Sequence, residues 1–216
     1  MENNIKPKIL FLLSFDSIKS RIFFNYLSEA YKDLKKKYQM GILLSDEDFK
    51  NLDLDACPLT PNTFYTYQSK NLSHSDDILL LNNFEILVTN GWGHKISNKA
   101  IQMVKLCALN CHSSYLPDYK GASAYYAQWA NLEKEGGVTC HIMTEKFDEG
   151  NIIYRQKFKI NFLDTPKKIL QKASNLSGPI IFKSIDLVLN NYQGISQKGG
   201  RYFMQVNKAQ LLFYRI

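Results

Sequence analysis

Apolar and polar positions alternate along the chain in a pattern that predicts strands and helices in turn. Lys8-Ile9-Leu10-Phe11-Leu12-Leu13-Ser14-Phe15 is a nearly continuous apolar run, as expected of a strand buried on both faces. From Ser17 to Lys37, Ile18, Ile22, Phe23, Tyr26, Leu27, Ala30 and Leu34 recur mostly at steps of three and four. This predicts an amphipathic helix capped by Asp16 or Ser17. Tyr38 to Leu44 reads as a second strand, and strand-helix-strand argues for a parallel sheet.

Asp46 to Leu72 reads as irregular, with Asp53, Asp55, Pro58 and Pro61 and the aromatics Phe64, Tyr65 and Tyr67. The aromatics either line a pocket or tack a loop onto the core. Beyond it the pattern predicts a helix over Ser73–Leu81 and a strand over Phe84–Thr89, broken at Asn90-Gly91-Trp92-Gly93. A helix capped by Ser97 and a strand over Leu106–Cys111 follow. Ala122–Leu132 is a helical pattern, Gly136-Gly137 a turn, Val138–Met143 a strand and Ile152–Ile160 a more exposed one. Thr165-Pro166 opens a helix to about Asn191, with a kink expected at Gly178-Pro179. The tail from Gly199 reads as a small hairpin or docked strand. The expected organisation is α/β: a Rossmann-like, mostly parallel sheet flanked by helices over 1–195, and a small C-terminal β element over 196–216.

Composition changes this picture little. The chain has 216 residues, 45% hydrophobic and 22% charged, which is ordinary for a globular protein able to bury a core without disulfides. The formal net charge of +7 is spread along the chain, and its densest run, Lys35-Lys36-Lys37, falls at a predicted helix end. A diffuse excess reads first as solvated surface. It suits an anionic small molecule and is weak support for nucleic acid. Cys57, Cys107, Cys111 and Cys140 form no Cys-x-x-Cys pair, as expected of reduced thiols in the cytoplasm. Met1-Glu2-Asn3-Asn4 does not open a signal peptide, and no window approaches the roughly 18 apolar residues of a membrane span.

The chemistry concentrates between Asn110 and Gly150. Asn110 and His112 stand two apart, so a strand persisting through His112 points both side chains to one face. An amide donor beside an imidazole suits stabilisation of an oxyanion. Asp148, in the loop after the Val138 run, would orient the imidazole if the two strands are neighbours. Each piece also has an ordinary reading: Asp148 as a turn residue, His141 as a hydrogen-bonded core histidine. Spacing alone leaves both open. His74, His94, His112 and His141 show no metal-ligand spacing, and Cys111 and Cys140 lie in apolar runs where a thiol is usually inert. No Walker loop and no Gly-x-Gly-x-x-Gly follow the first strand.

Asn110-x-His112-x-Ser114-x-Leu116-Pro117-x-Tyr119-Lys120-Gly121 resembles a motif of the folate-dependent formyltransferases. Gly137-Val138-Thr139-x-His141-x-Met143 and Phe147-Asp148-x-Gly150-x-Ile152-Ile153 are similar to a second one. The resemblance spans about Phe84 to Ile160, and Tyr115 and Lys120 depart from the usual Leu and Arg. It implies an N-formyltransferase with 10-formyltetrahydrofolate as donor, a primary amine as acceptor and no metal. It further implies Asn110, His112 and Asp148 as the catalytic set. Trp92, His94, Ile96, Val138 and Met143 would lie toward the folate, and Ser114, Tyr115 and Lys120 toward the acceptor. Among family branches, Ser14 to Ser20 lacks the glycine-rich phosphate loop of glycinamide ribonucleotide formyltransferases. The chain is also shorter than methionyl-tRNA formyltransferases. What remains is an enzyme acting on a nucleotide-linked amino sugar, with no nucleic acid or membrane partner and with room for a homodimer. A non-catalytic folate or nucleotide-sugar binding module is the competing class.

Overall fold

The computed structural model describes residues 5–54 and 57–203. The chain divides into two compact units, Met1–Leu109 and Asn110–Ile216. In the first, β1 (Lys8–Leu12), β2 (Gln39–Leu44), β3 (Phe64–Thr66) and β4 (Ile86–Thr89) stand in the order β3-β2-β1-β4; β5 (Cys107–His112) runs across the boundary, with Asn110 and His112 in the second unit. β1 pairs in parallel with β2 and β4, and β2 in parallel with β3. Ile9 to Leu13 are wholly inaccessible to solvent, which is why this stretch is apolar without alternation.

The helix after β1 is α1 (Ile18–Lys37). Its N-cap is Ser17, and Lys35, Lys36 and Lys37 lie in its last turn, where cations complement the helix dipole. Phe23 and Leu27 are buried, and the Phe23 ring meets Phe11 of β1 edge-on at 5.3 Å.

The segment expected to be irregular, Asp46 to Leu72, carries regular structure. α2 (Asp46–Lys50) is capped by Ser45, whose side chain accepts from the Asp48 amide. A 3-10 turn over Pro61–Thr63 leads into β3, in register Ile42↔Phe64. Three residues are too few for a strand pattern to show in sequence. Phe64 packs between Phe24 and Phe49, with ring centroids at 6.4 and 6.0 Å, and Tyr65 meets Phe84 at 5.7 Å. Phe64 thus belongs to the core and Tyr65 is half-buried at its edge, whereas Tyr67 stands edge-on to Trp92 at 5.3 Å. Asp55 lies outside the described residues. The helices α3 (Ser75–Leu81) and α4 (Asn98–Met103) complete this unit, capped by the side chains of His74 and Ser97.

In the second unit the order is β5-β6-β7, with β6 (Glu135–Ile142) and β7 (Ile152–Lys159) antiparallel and a register irregularity between Cys140 and His141. Against them lie α5 (Ala124–Ala130) and α6 (Pro166–Leu189). α6 is capped by Thr165 and carries Pro179 inside it without ending there. Gly136-Gly137, expected to be a turn, is instead the start of β6. A Cβ on Gly137 would lie 2.5 Å from Tyr115 Cβ and 2.7 Å from its backbone nitrogen. The glycine therefore marks a close approach of two backbones, a second role that Gly takes in strands. Of the C-terminal β element expected over 196–216, the described residues show one single bridge, Lys120↔Tyr202; a second, Ile152↔Ile195, lies just before it. Residues 204–216 lie outside the described residues.

Because the obstruction at Gly137 is backbone, Gly137→Ala is expected to lower stability by about 1–3 kcal/mol in urea unfolding. Stability equal to that of the parent would contradict the close approach.

Candidate functional site

Asn110 and His112 lie on β5, two residues apart, and the strand persists through His112 as their shared face requires. Both reach Asp148. Asn110 Nδ2 donates to Asp148 Oδ1 at 3.3 Å, and His112 Nδ1 stands 3.6 Å from the same oxygen. The other carboxylate oxygen accepts from the Gly121 amide at 2.8 Å. His112 Nε2 lies 2.8 Å from the Tyr119 carbonyl, an acceptor only, so that nitrogen carries a proton.

A fourth group joins them. His141, on β6, is buried and places Nε2 at 3.1 Å from Asn110 Nδ2 and 3.3 Å from Asp148 Oδ1. Its Nδ1 lies 2.9 Å from the Ile142 carbonyl and must donate there. With Nδ1 protonated, Nε2 accepts from Asn110 in the neutral ring and donates to Asp148 in the cation. The reading of His141 as a hydrogen-bonded core histidine described its burial and missed its partners. The signal was its two-residue step from Thr139 within the Thr139-x-His141-x-Met143 motif.

Asp148 is buried yet ionised. Burial pushes its carboxyl upward. The charge on His112, the hydrogen bond and charge of His141 and the Gly121 amide together outweigh this and hold it well below the usual carboxylate range. Its backbone is left-handed, φ 54°, a conformation Asp tolerates better than most residues.

The residues assigned toward the acceptor are placed differently from one another. Ser114 is fully buried, donating from Oγ to the Asp118 carbonyl at 2.7 Å. The Tyr115 ring lies under the Arg155 guanidinium at 4.1 Å and the Lys157 ammonium at 5.2 Å. Lys120 is buried, with Nζ donating to Glu149 Oε1 at 3.1 Å and to the Gly199 carbonyl at 3.0 Å. Of the residues assigned toward the folate, Val138 and Ile96 are buried and Met143 is half-buried. In the first unit Trp92 meets His94 at 5.4 Å, and its indole Nε1 is buried without a hydrogen-bond partner among the described residues. Among the described residues no three His, Cys, Asp or Glu side chains are set to hold a metal ion, and no helix is long and apolar enough to cross a membrane.

The formyl transferase family model matches residues 28–185. A methionyl-tRNA formyltransferase from Halothermothrix orenii is 31% identical over 121 residues, 55% of this chain and 38% of that protein. The chain thus spans about two fifths of the length of the curated relatives it matches. Among solved structures, the formyltransferase PseJ from Anoxybacillus kamchatkensis is in complex with UDP-4,6-dideoxy-4-formamido-L-AltNAc and tetrahydrofolate. It is similar with TM-score 0.65 and 22% identity, over 95% of this chain and 90% of that one. A formyltetrahydrofolate deformylase from Burkholderia mallei is similar with TM-score 0.67 and 21% identity, over 86% and 66%. At these identities the structural likeness concerns the fold.

The lowered Asp148 pKa has a sign that can be tested. A carboxyl held below its unfolded value stabilises the fold above that value, and the gain is lost as pH falls through the folded one. The stability advantage of the parent over Asp148→Asn is therefore expected to shrink between about pH 5 and about pH 3 in denaturant titrations. A gap independent of pH would contradict the ionised, partnered carboxylate.

Proposed function

The chain belongs to the formyl transferase family, and on that premise we propose that it transfers the formyl group of 10-formyltetrahydrofolate to the primary amine of a nucleotide-linked amino sugar. The observation that carries the reading is the buried carboxylate of Asp148 within reach of Asn110, His112 and His141. A buried carboxylate with a strongly shifted pKa among two imidazoles and an amide is an arrangement that clusters at active sites, which favours catalysis over binding alone.

The roles follow from the geometry. As an amine attacks the formyl carbon, negative charge develops on the formyl oxygen. Asn110 supplies an N–H donor, the one it otherwise gives to His141 Nε2, and His112, whose protonated form Asp148 favours, supplies a compensating positive charge. A carboxyl held as low as that of Asp148 is a poor proton acceptor at neutral pH, so its role is to orient and to charge its neighbours. The proton leaving the amine is better taken at His141 Nε2, the nitrogen free to change between acceptor and donor. The folate carries the formyl group on N10; collapse of the tetrahedral centre breaks the formyl carbon–N10 bond, the departing nitrogen takes up the proton lost by the amine, and tetrahydrofolate leaves. Tyr67, Trp92 and the unpartnered indole N–H of Trp92 fit a flat heterocycle bearing acceptor atoms, and with His94 and Ile96 they are the groups we assign to it.

A nucleotide-linked sugar is favoured by the near-complete coverage, in both directions, of a fold that holds such a sugar in PseJ. Ser14 to Ser20, without glycine and with Asp16, disfavours a glycinamide ribonucleotide. Four free cysteines suit the cytoplasm as the place of reaction. Sequence similarity to methionyl-tRNA formyltransferases over two fifths of their length supports a second reading, formylation of an aminoacyl-tRNA by a longer protein of which this is the catalytic part.

Release of tetrahydrofolate with a panel of nucleotide-linked amino sugars, glycinamide ribonucleotide and methionyl-tRNA separates these readings. Turnover is expected with a nucleotide-linked amino sugar. Turnover with methionyl-tRNA alone would select the second reading, and none with any amine would contradict both. His112→Ala and Asp148→Asn are each expected to lose ~100-fold or more in kcat, with folding retained by circular dichroism.

A further inference from the structure

We infer that the segment Gly194–Phe203 is a strap that sets the position of the catalytic carboxylate, with Gln197 as its positioning residue. The inference rests on the formyl-transfer reading above. Gln197 Nε2 donates to the carbonyl of Asp148 at 2.9 Å and to that of Gly150 at 2.7 Å. One side-chain amide therefore grips the turn on both sides of Glu149. Its own Oε1 is buried and has no partner among the described residues, so its nitrogen makes the contacts that hold Gln197 there. The turn needs this support because Asp148 is left-handed. Rotation of its backbone would swing the carboxylate away from all three side chains.

The strap is anchored on both sides of Gln197. Ile195 exchanges backbone hydrogen bonds with Ile152, both at 2.9 Å. Lys120 donates to the Arg201 carbonyl at 3.0 Å, and Phe203 donates back to the Lys120 carbonyl at 2.8 Å. The Phe203 ring stacks on Tyr119 at 4.8 Å, and a Cβ on Gly121 would come within 2.5 Å of the Phe203 carbonyl. The loop gripped here is the one whose Tyr119 carbonyl holds His112 Nε2 and whose Gly121 amide holds Asp148 Oδ2. The strap thus holds both the turn that carries the carboxylate and the loop that holds the imidazole, through their backbones. Lys120 adds to the hold, its ammonium tying Glu149 to Gly199.

Steady-state kinetics of Gln197→Ala and Gln197→Glu test this, together with ring-nitrogen NMR of His112 and His141. Gln197→Ala is expected to lower kcat about tenfold with the acceptor KM within about twofold, because misplacing a catalytic group costs rate more than binding. Gln197→Glu fills the same space but presents a carboxylate to two carbonyls. It is expected to be at least as slow near about pH 8 and to recover, relative to the parent, as the glutamate protonates toward about pH 5. Both variants within about twofold of the parent in kcat, or a Gln197→Glu variant of parental rate at every pH, would overturn the inference. A parent that turns over no amine would instead count against the formyl-transfer reading. The NMR comparison then decides on the strap by itself: shifted His112 and His141 signals in Gln197→Ala support it, and unchanged signals overturn it.

Discussion

A charged carboxylate taken out of water must be repaid by its surroundings, and Asp148 is such a carboxylate. Its partners come from three places: the end of β5 through Asn110 and His112, the end of β6 through His141, and the 119–121 loop through the Gly121 amide. Its own turn supplies the left-handed backbone that aims it. None of these contacts is long-range in space, yet they are separated by up to 38 residues in sequence. The fold of the second unit can be understood as the means of bringing them together.

Two features make that possible. The β5 end must deliver polar side chains where the strand leaves its apolar core, and the segment after it must pass close to β6. Gly137 permits the second: Thr139 Oγ1 donates to the Ser114 carbonyl and accepts from the Leu116 amide beside it. The hydroxyl and the missing side chain, two residues apart on β6, together fasten the stretch that follows His112. The carboxylate, held well below the usual carboxylate range, then stands between His112 and His141 as their shared anionic partner.

Much of this was legible from residue pattern. The unbroken apolar run of β1, the three- and four-residue steps of α1 and the Thr165-Pro166 start of α6 each had one physical reading, and each element is present. The two-residue step of Asn110 and His112 announced a shared face. Other elements were hidden for identifiable reasons. β3 is three residues long among prolines, and α2 is a single capped turn or so, too short for a period to emerge. Gly136-Gly137 carries a turn signature, while the need for it here comes from Tyr115, more than twenty residues away. His141 was ambiguous because burial and function look alike in one dimension; only its contact with Asn110 and Asp148 separates them. Gln197 carried no local signal at all, since its task is set by carbonyls 47 and 49 residues earlier.

At the centre stands one carboxylate shared by two imidazoles, each oriented by a backbone carbonyl at its far nitrogen. Long-range proton–nitrogen NMR of the histidine rings reads this directly. The account predicts a proton on Nε2 of His112 and on Nδ1 of His141, with both rings changed by Asp148→Asn. A neutral His141 protonated at Nε2, or rings indifferent to the loss of the carboxylate, would contradict it.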